Sequence, residues 1–578
     1  MNQTNQNDSI TVVSQTANRR SFLKKSAFYS VSLPLLAACG NQGVGDEKEG
    51  DKEEQRDLAP GEIIRDSNAS GRIEQCFQTR VKAAQNQRDA ASTRQAQVAN
   101  DDDERYANEG YYASFTKTLP SNRFGEVEAA AYQALLKAVS SQNQSDFKEV
   151  RLSSQATRKL ANPQGAMRIA LNGADGHTTR MLAAPSFNSA ESATEMVELY
   201  WQALTRDIPF EDFSENSLIS QAIADLQSMS HGIGKSGPSQ STIFRLQEIP
   251  GADVGPYISQ FLWQKVDFGP SKIEQKFNCP VAEFNHMTDL KDWLLVQKGG
   301  VATSSSYEDN GRYIHNGRSL ANYVHRDVSF QAYLNAALIM LGYGSEALAS
   351  TNPYHNDLSA WGFTSFGGPF VLDLVTRAAN LALSGAWYQK WNVHRRLRPE
   401  TFAGRVHFNQ TDSRSYDIHT DLLDSRALSE TYSRTGTYLL SQAYPEGSPT
   451  HPSYPAGHAS IAGACATILK ACFNENFVIQ SPVVASRFGD RLERYQGSSQ
   501  LTLGGEINKL ATNVSMGRDT AGVHYRSDSI GGMEIGEQQA ISLLQDVSLT
   551  TSEAGSSFEL TKFDGARIRI SNGIIVNI

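Results

Sequence analysis

Three short stretches hold most of the side chains that could do chemistry in this chain. The first is Trp387-Tyr388-Gln389-Lys390-Trp391-Asn392-Val393-His394-Arg395-Arg396-Leu397-Arg398-Pro399, with the spacing Lys-x7-Arg-Pro. The second is His451-Pro452-Ser453-Tyr454-Pro455-Ala456-Gly457-His458. The third, Gly517-Arg518 through Gly522-Val523-His524-Tyr525-Arg526-Ser527-Asp528, has the pattern Gly-Arg-x5-His-x3-Asp. Lysine and arginine neutralise and hydrogen-bond the oxygens of an anion, and an imidazole can donate a lone pair or carry a proton. A loop feeding a helix start adds free backbone N–H groups and the positive end of the helix dipole, and Gly457 lets that backbone come close. Jointly, Lys390, Arg398, Gly457, His458, Arg518 and His524 point to a tetrahedral oxyanion as ligand. A lone histidine is more often a packing residue, and His177, His231, His315 and His325 are read that way.

These stretches need helices to hold them. Apolar residues recur at helical spacing over 126–140, 193–204, 330–340 and 371–387, and a helix of small residues is expected over 459–472. The first stretch reads as a helix end stopped by Pro399. On one continuous helix Lys390 and Arg398 would lie about 80° apart around the axis and about 12 Å along it, so both can grip one anion only if the helix ends or bends between them. There is no βαβ alternation, P-loop, dinucleotide fingerprint or fixed-period repeat. The exception to an all-α pattern is the C-terminus, where Arg567-Ile568-Arg569-Ile570 and Ile574-Ile575-Val576 alternate about Asn572-Gly573 and predict a small β-hairpin.

Bulk properties narrow the partners. The chain has 578 residues and a net charge of -9, with 39% hydrophobic and 20% charged residues, an ordinary globular balance. An acidic chain has no overall basic field to collect phosphates, so nucleic acid is not expected and the anion site must be a local cluster. Residues 1–39 read as a targeting signal. Arg19-Arg20-Ser21-Phe22-Leu23-Lys24-Lys25 is a twin-arginine pattern, and the apolar run over 27–38 is too short for a permanent span. Leu36-Ala37-Ala38-Cys39 resembles a bacterial lipobox that would lipidate Cys39. The expectation is an exported protein, periplasmic or membrane-anchored. Residues 40–104, with a charge run over 46–54, are expected to be a polar tether or arm, and 105–578 the catalytic domain. Cys76, Cys279, Cys465 and Cys472 have no CxxC or Cys/His spacing, which leaves zinc, iron–sulfur and c-type haem unsupported. An export compartment would permit an intersubunit disulfide through Cys76.

Taken together, the stretches resemble the vanadium-dependent haloperoxidases, above all their algal and cyanobacterial bromoperoxidases, and more broadly the type 2 phosphatidic acid phosphatase superfamily. Tyr388-Gln389-Lys390-Trp391, Arg395-Arg396-Leu397-Arg398-Pro399-Glu400, His451-Pro452-Ser453-Tyr454-Pro455 and Gly522 to Asp528 carry the likeness. So do Tyr323-Val324-His325 and Gln331-Ala332-Tyr333-Leu334-Asn335-Ala336-Ala337-Leu338 upstream. The resemblance implies an all-α body of two helix bundles around a vanadate pocket, and a homo-oligomer built from dimers, up to a dodecamer. It implies that His524 bonds vanadium at the apical position, and that Lys390, Arg398, Arg518 and the Gly457 amide neutralise the equatorial oxygens. His458 would hydrogen-bond the apical oxygen and serve as acid–base group, and Asp528 would orient His524. Vanadate would activate hydrogen peroxide as a Lewis acid, with Lys390 polarising the peroxide. Halide would leave as hypohalous acid and halogenate small organic acceptors. His451 stands where the bromoperoxidases carry histidine and the chloroperoxidases an aromatic, which implies bromide or iodide. Trp387 and Gln389 flank Lys390 and would shape halide access, unless Trp387 simply packs. A structural calcium is a further expectation by analogy, without an EF-hand-like loop to place it.

One position departs from the family pattern Pro-Ser-Gly-His: Ala456 replaces the serine. The lost hydrogen bond to a charged partner is worth about 1.5–3 kcal/mol, less if water substitutes. The same pocket would also serve an acid phosphatase, with His524 as nucleophile and His458 as general acid. A decayed pocket would make a non-catalytic oxyanion-binding lipoprotein.

Overall fold

The helices follow the apolar spacing and extend it by a turn where a cap residue allows. In the computed structural model, which describes residues 70–93 and 97–578, the first long helix of the body is Ala129–Ser141. It starts later than the expected 126, because Val127 bridges Ser121 and Glu128 is extended. The twin-arginine run, Cys39 and the charge run lie outside the described residues. Among the described residues no helix is long and apolar enough to cross a membrane.

Part of the expected tether is helical. Helix α1 (Ser70–Ser92) is largely exposed, in keeping with its polar composition. Lack of apolar surface forbids a core but not a helix, since Ala, Gln and Arg are good helix formers. Its later half docks through polar groups: Gln87 Nε2 donates to Asp546 Oδ1 at 3.0 Å.

Two bundles make up the body. The first contains α2 (Ala190–Thr205) and α3 (Ser217–Ser228), together with α7 (Pro399–Gln410) and α8 (Arg426–Thr435), around Trp201, Leu226, Phe402 and Leu428. The second contains α4 (Gly317–Arg326), α5 (Gln331–Leu341), α6 (Gly368–Tyr388), α9 (Gly457–Cys472), α10 (Leu503–Thr520) and α11 (Arg526–Val547). Its core includes Val375, Ala462, Leu469, Val514 and Leu544. Burial of such surfaces is the main stabilising term, at about 25 cal/mol per Å² of apolar area. The strands are few: hairpins β1–β2 (Val266–Phe268, Ser271–Ile273) and β3–β4 (Val483–Ala485, Leu492–Arg494), and a C-terminal sheet β5–β6–β7. In that sheet β6 (Arg567–Ser571) and β7 (Ile574–Asn577) form the expected hairpin, with Asn572 at φ 48 and Gly573 at φ 77, as a two-residue turn of this kind requires. The strand β5 (Phe558–Thr561) adds a third member that the alternation did not reveal.

Candidate active site

The three chemical stretches sit where helices begin, end or break. Helix α6 stops at Tyr388 and passes into a π-turn over Gln389–His394, after which Arg395 adopts a left-handed φ of 42. This break supplies the bend that Lys390 and Arg398 need. Contrary to the expectation that Pro399 stops a helix, it opens α7 as its first residue, with Arg398 as the extended N-cap. Proline lacks the N–H that a first turn leaves unpaired anyway, so it suits that place. Helix α9 begins at Gly457 with no side-chain cap, because Ala456 has nothing to offer. Its first N–H groups are therefore left for an anion. Gly463 and Gly536 let α9 and α11 touch: a Cβ on Gly463 would meet Met533 O at 2.2 Å, and one on Gly536 would meet Ser460 O at 2.1 Å. That approach brings the two helix starts together, where Ala456 N donates to Asp528 O at 2.9 Å.

Inside this frame the basic groups are buried and lashed to carbonyls. Lys390 is fully buried, and its Nζ donates to Pro452 O at 2.7 Å and Ser453 O at 2.8 Å. Arg398 donates from Nε to His451 O, from Nη1 to Val523 O and from Nη2 to His451 Nδ1. Arg518 donates from Nη1 to Val324 O at 2.8 Å, while its buried Nε has no partner. His524 donates from Nδ1 to Asp528 Oδ2 at 2.8 Å, so the lone pair lies on Nε2, which is 3.0 Å from Arg398 Nη1. Asp528 is fixed in turn by Arg396 at 2.8 Å and by the Ser453 hydroxyl.

The electrostatics favour an anion. Burial, then the Arg398 charge, pushes the Lys390 ammonium well below its usual range. Burial also brings the Arg398 guanidinium down to about 9, against the pull of Asp528 and with the repulsion of Arg518. His524 and His451 are likewise held neutral, first by burial and then by neighbouring cations. Burial would raise the Asp528 carboxyl, but Arg396 and the His524 hydrogen bond keep it well below the ordinary range. A multiply charged oxyanion at this point would relieve the repulsion among the basic groups and would offer Arg518 Nε a partner. The donor set therefore fits vanadate, with a neutral imidazole as the one group able to bond its metal.

The remaining expected residues fall around the same centre, with one exception. His458 Nε2 lies 3.0 Å from Asp327 Oδ1, and its Nδ1 makes no hydrogen bond among the described residues. His451 packs against Trp387 with ring centroids 4.8 Å apart, and Trp387 Nε1 donates to Ala161 O. Gln389 does not join them: its Nε2 donates to Thr179 O at 3.1 Å, on the side of α6 that meets the 176–178 turn. Asp327 was not singled out in the sequence. Its signal was an acidic residue directly after α4, at the negative end of a helix dipole, where no helical reason exists for it. His325, read as a packing residue, stacks flat on Tyr444 at 3.8 Å and bonds Glu446 at 2.7 Å. The Arg518 guanidinium lies 5.2 Å from the same Tyr444 ring. Among the described residues no cluster of three or more His, Cys, Asp or Glu side chains is placed to hold a metal ion.

A helical-bundle fold with an oxyanion pocket of this make-up has known counterparts. A family model described as the VCPO second helical-bundle domain matches residues 371–551, the stretch that carries the pocket from Lys390 to Asp528. The vanadium-dependent bromoperoxidase of Ascophyllum nodosum is 34% identical over 526 residues, covering 86% of this chain and 92% of that protein. That of Corallina officinalis is 31% identical over 598 residues, covering 87% and 99%. Among solved structures, the homohexameric second vanadate-dependent bromoperoxidase from Ascophyllum nodosum matches with a TM-score of 0.83 at 28% identity, over 90% of this chain and 95% of that one. The chain belongs to the vanadium-dependent haloperoxidase family, among relatives named as bromoperoxidases.

Proposed function

We propose that the protein uses vanadate to oxidise bromide or iodide with hydrogen peroxide, and that the hypohalous acid formed halogenates small organic acceptors. The observation that carries this is likeness over nearly the whole chain to proteins named vanadium-dependent bromoperoxidase. In balance, halide, peroxide and one proton give hypohalous acid and water. Bound vanadate supplies Lewis-acid activation of the peroxide. Lys390, Arg398, Arg518 and the N–H groups at the start of α9 would hold the oxyanion, and His524 Nε2 would bond its metal. His458 would take the peroxide proton at Nδ1, a role supported by the Asp327 carboxylate 3.0 Å from its Nε2. His451, neutral and packed on Trp387, would border the approach of halide.

Three further parts of the proposal rest on other ground. A homo-oligomer is supported by the homohexamer of the solved relative, and a dimer-based dodecamer is the larger assembly the family resemblance implies. An intersubunit bridge through Cys76, half-buried in α1, would show as a dimer on a non-reducing gel. Export with a lipid on Cys39 is supported by the N-terminal sequence alone, and processing insensitive to globomycin would remove the lipid. The described residues give the expected structural calcium no cluster to support it.

The test adds orthovanadate to the purified apo-protein and follows bromination of monochlorodimedone with peroxide and bromide, with p-nitrophenyl phosphate hydrolysis in parallel. Vanadate-dependent bromination is expected. Phosphate hydrolysis without bromination overturns the reading in favour of a phosphatase, and vanadate binding with neither activity makes the protein a binding module.

A further inference from the structure

A second cavity touches the pocket through one side chain. A cleft of about 500 Å³ opens between the chain that follows the β1–β2 hairpin and helices α4 and α5. This is the size of a small-molecule site. Aromatic rings line it: Phe277, Tyr307 and Tyr323, with Phe277 and Tyr323 centred 5.9 Å apart and tilted by 45°. Arg326 stands at its edge, exposed, with its guanidinium 4.9 Å from the Tyr307 ring and Nη2 donating to the Tyr307 hydroxyl at 2.9 Å. Among the described residues no carboxylate pairs with Arg326. Asp327 belongs to both places: it lines the cleft, and its Oδ1 lies 3.0 Å from His458 Nε2. One carboxylate therefore separates the cleft from the acid–base imidazole.

We propose that this cleft binds the organic acceptor, a phenol carrying an anionic substituent, so that halogenation takes place beside the site where halide is oxidised. The inference rests on the function proposed above and gives it an acceptor class. Flat electron-rich rings pack favourably on aromatic walls. A guanidinium without a carboxylate partner suits an anionic group on that ring. In the halogenation step a π pair of the ring forms the carbon–halogen bond and the oxygen–halogen bond of hypohalous acid breaks. The departing hydroxide takes the ring proton and leaves as water, so peroxide remains the sole oxidant.

The test compares two rates in the vanadate-loaded protein and its Phe277→Ala and Arg326→Gln variants. Oxidation of iodide to triiodide needs no acceptor and is expected within about twofold of the parent in both, since neither residue touches the oxyanion pocket. For bromination of 4-hydroxybenzoate, KM is expected to rise at least about fivefold in both variants; for phenol it should rise in Phe277→Ala alone. Arg326 is exposed, so its variant keeps the test decisive if Phe277→Ala fails to fold. Unchanged KM values for 4-hydroxybenzoate would mean that hypohalous acid reacts in bulk solution, and would overturn the cleft. Absence of triiodide formation by the parent protein would instead overturn the function itself. Calorimetric binding of 4-hydroxybenzoate to the apo-protein, weakened in both variants, tests the cleft independently, and equal binding by all three proteins would overturn it.

Discussion

At His524 the direction of one hydrogen bond decides the chemistry. Nδ1 donates to Asp528, so Nε2 carries the lone pair, which faces Arg398 Nη1 at 3.0 Å, and burial keeps the ring neutral. A metal ligand needs that state, and a solvent-exposed imidazole would share it with a proton. At Ala456 the reverse holds, since the residue leaves the N-terminus of α9 bare and offers no hydroxyl to the anion. Ala456→Ser is expected to tighten vanadate binding by at most about 1.5–3 kcal/mol, or to raise turnover. Equilibrium dialysis of vanadate against both proteins, with turnover measured alongside, checks this. No change in either quantity would mean that a water or a backbone N–H already fills the place. These residue identities were legible because the three stretches are short and dense in chemistry. Asp327 and Tyr444 were not, because each gains its meaning only from distant partners, Asp327 from His458 131 positions on and Tyr444 from Arg518 74 positions on.

At the scale of elements, the pocket depends on interruptions. The π-turn at Gln389–His394 and the left-handed Arg395 carry Arg398 round to face Lys390. Apolar periodicity revealed α6 and the need for a bend, but not its form, because a π-turn has the same composition as the helix it interrupts. Gln389 shows the same limit: one residue from Lys390 on a helix means about 100° of rotation, and its amide ends up on Thr179. Behind Arg518 the support is a stack, with Glu446 fixing His325, His325 covering Tyr444, and Tyr444 beside the guanidinium. His325→Ala removes the covering ring. It is expected to weaken vanadate binding a few-fold, on the order of 1 kcal/mol, while leaving KM for bromide unchanged. A variant with unaltered vanadate affinity would show that Val324 and the Tyr444 hydroxyl hold Arg518 without the covering ring.

For the whole molecule, buried neutral histidines weaken the fold in acid, while buried carboxyls such as Asp102, raised to about 7 by burial, act in the opposite sense. Burial lowers His394 to about 3 and His286 to about 4, and holds His451 and His524 well below the usual imidazole value. Below pH about 6.5 these imidazoles bind protons in the unfolded chain that they refuse in the folded protein, so the stability they contribute is complete above that pH and falls as pH drops toward the folded-state values. Each such group contributes up to about 1.4 kcal/mol per pH unit in that window. Thermal unfolding of the apo-protein and of its His394→Phe variant at pH 7.5, 6 and 5 should show a Tm that falls further in the parent, and equal falls would contradict the burial of His394. The two-bundle architecture came from family resemblance; helical spacing alone predicted only an all-α body, because the pairing of helices depends on side-chain shape rather than period. The helix at Ser70–Ser92 went unforeseen for a related reason, since it is ordered by polar docking and helix propensity.

An oxyanion bound among the three stretches would have His524 as its one protein bond to vanadium. X-ray absorption at the vanadium edge of the vanadate-loaded protein, and of the His524→Ala variant, tests it most directly. One nitrogen neighbour at bonding distance in the parent, absent from the variant, is the predicted result. A parent spectrum with oxygen neighbours alone, or a nitrogen neighbour that survives in the variant, would contradict it.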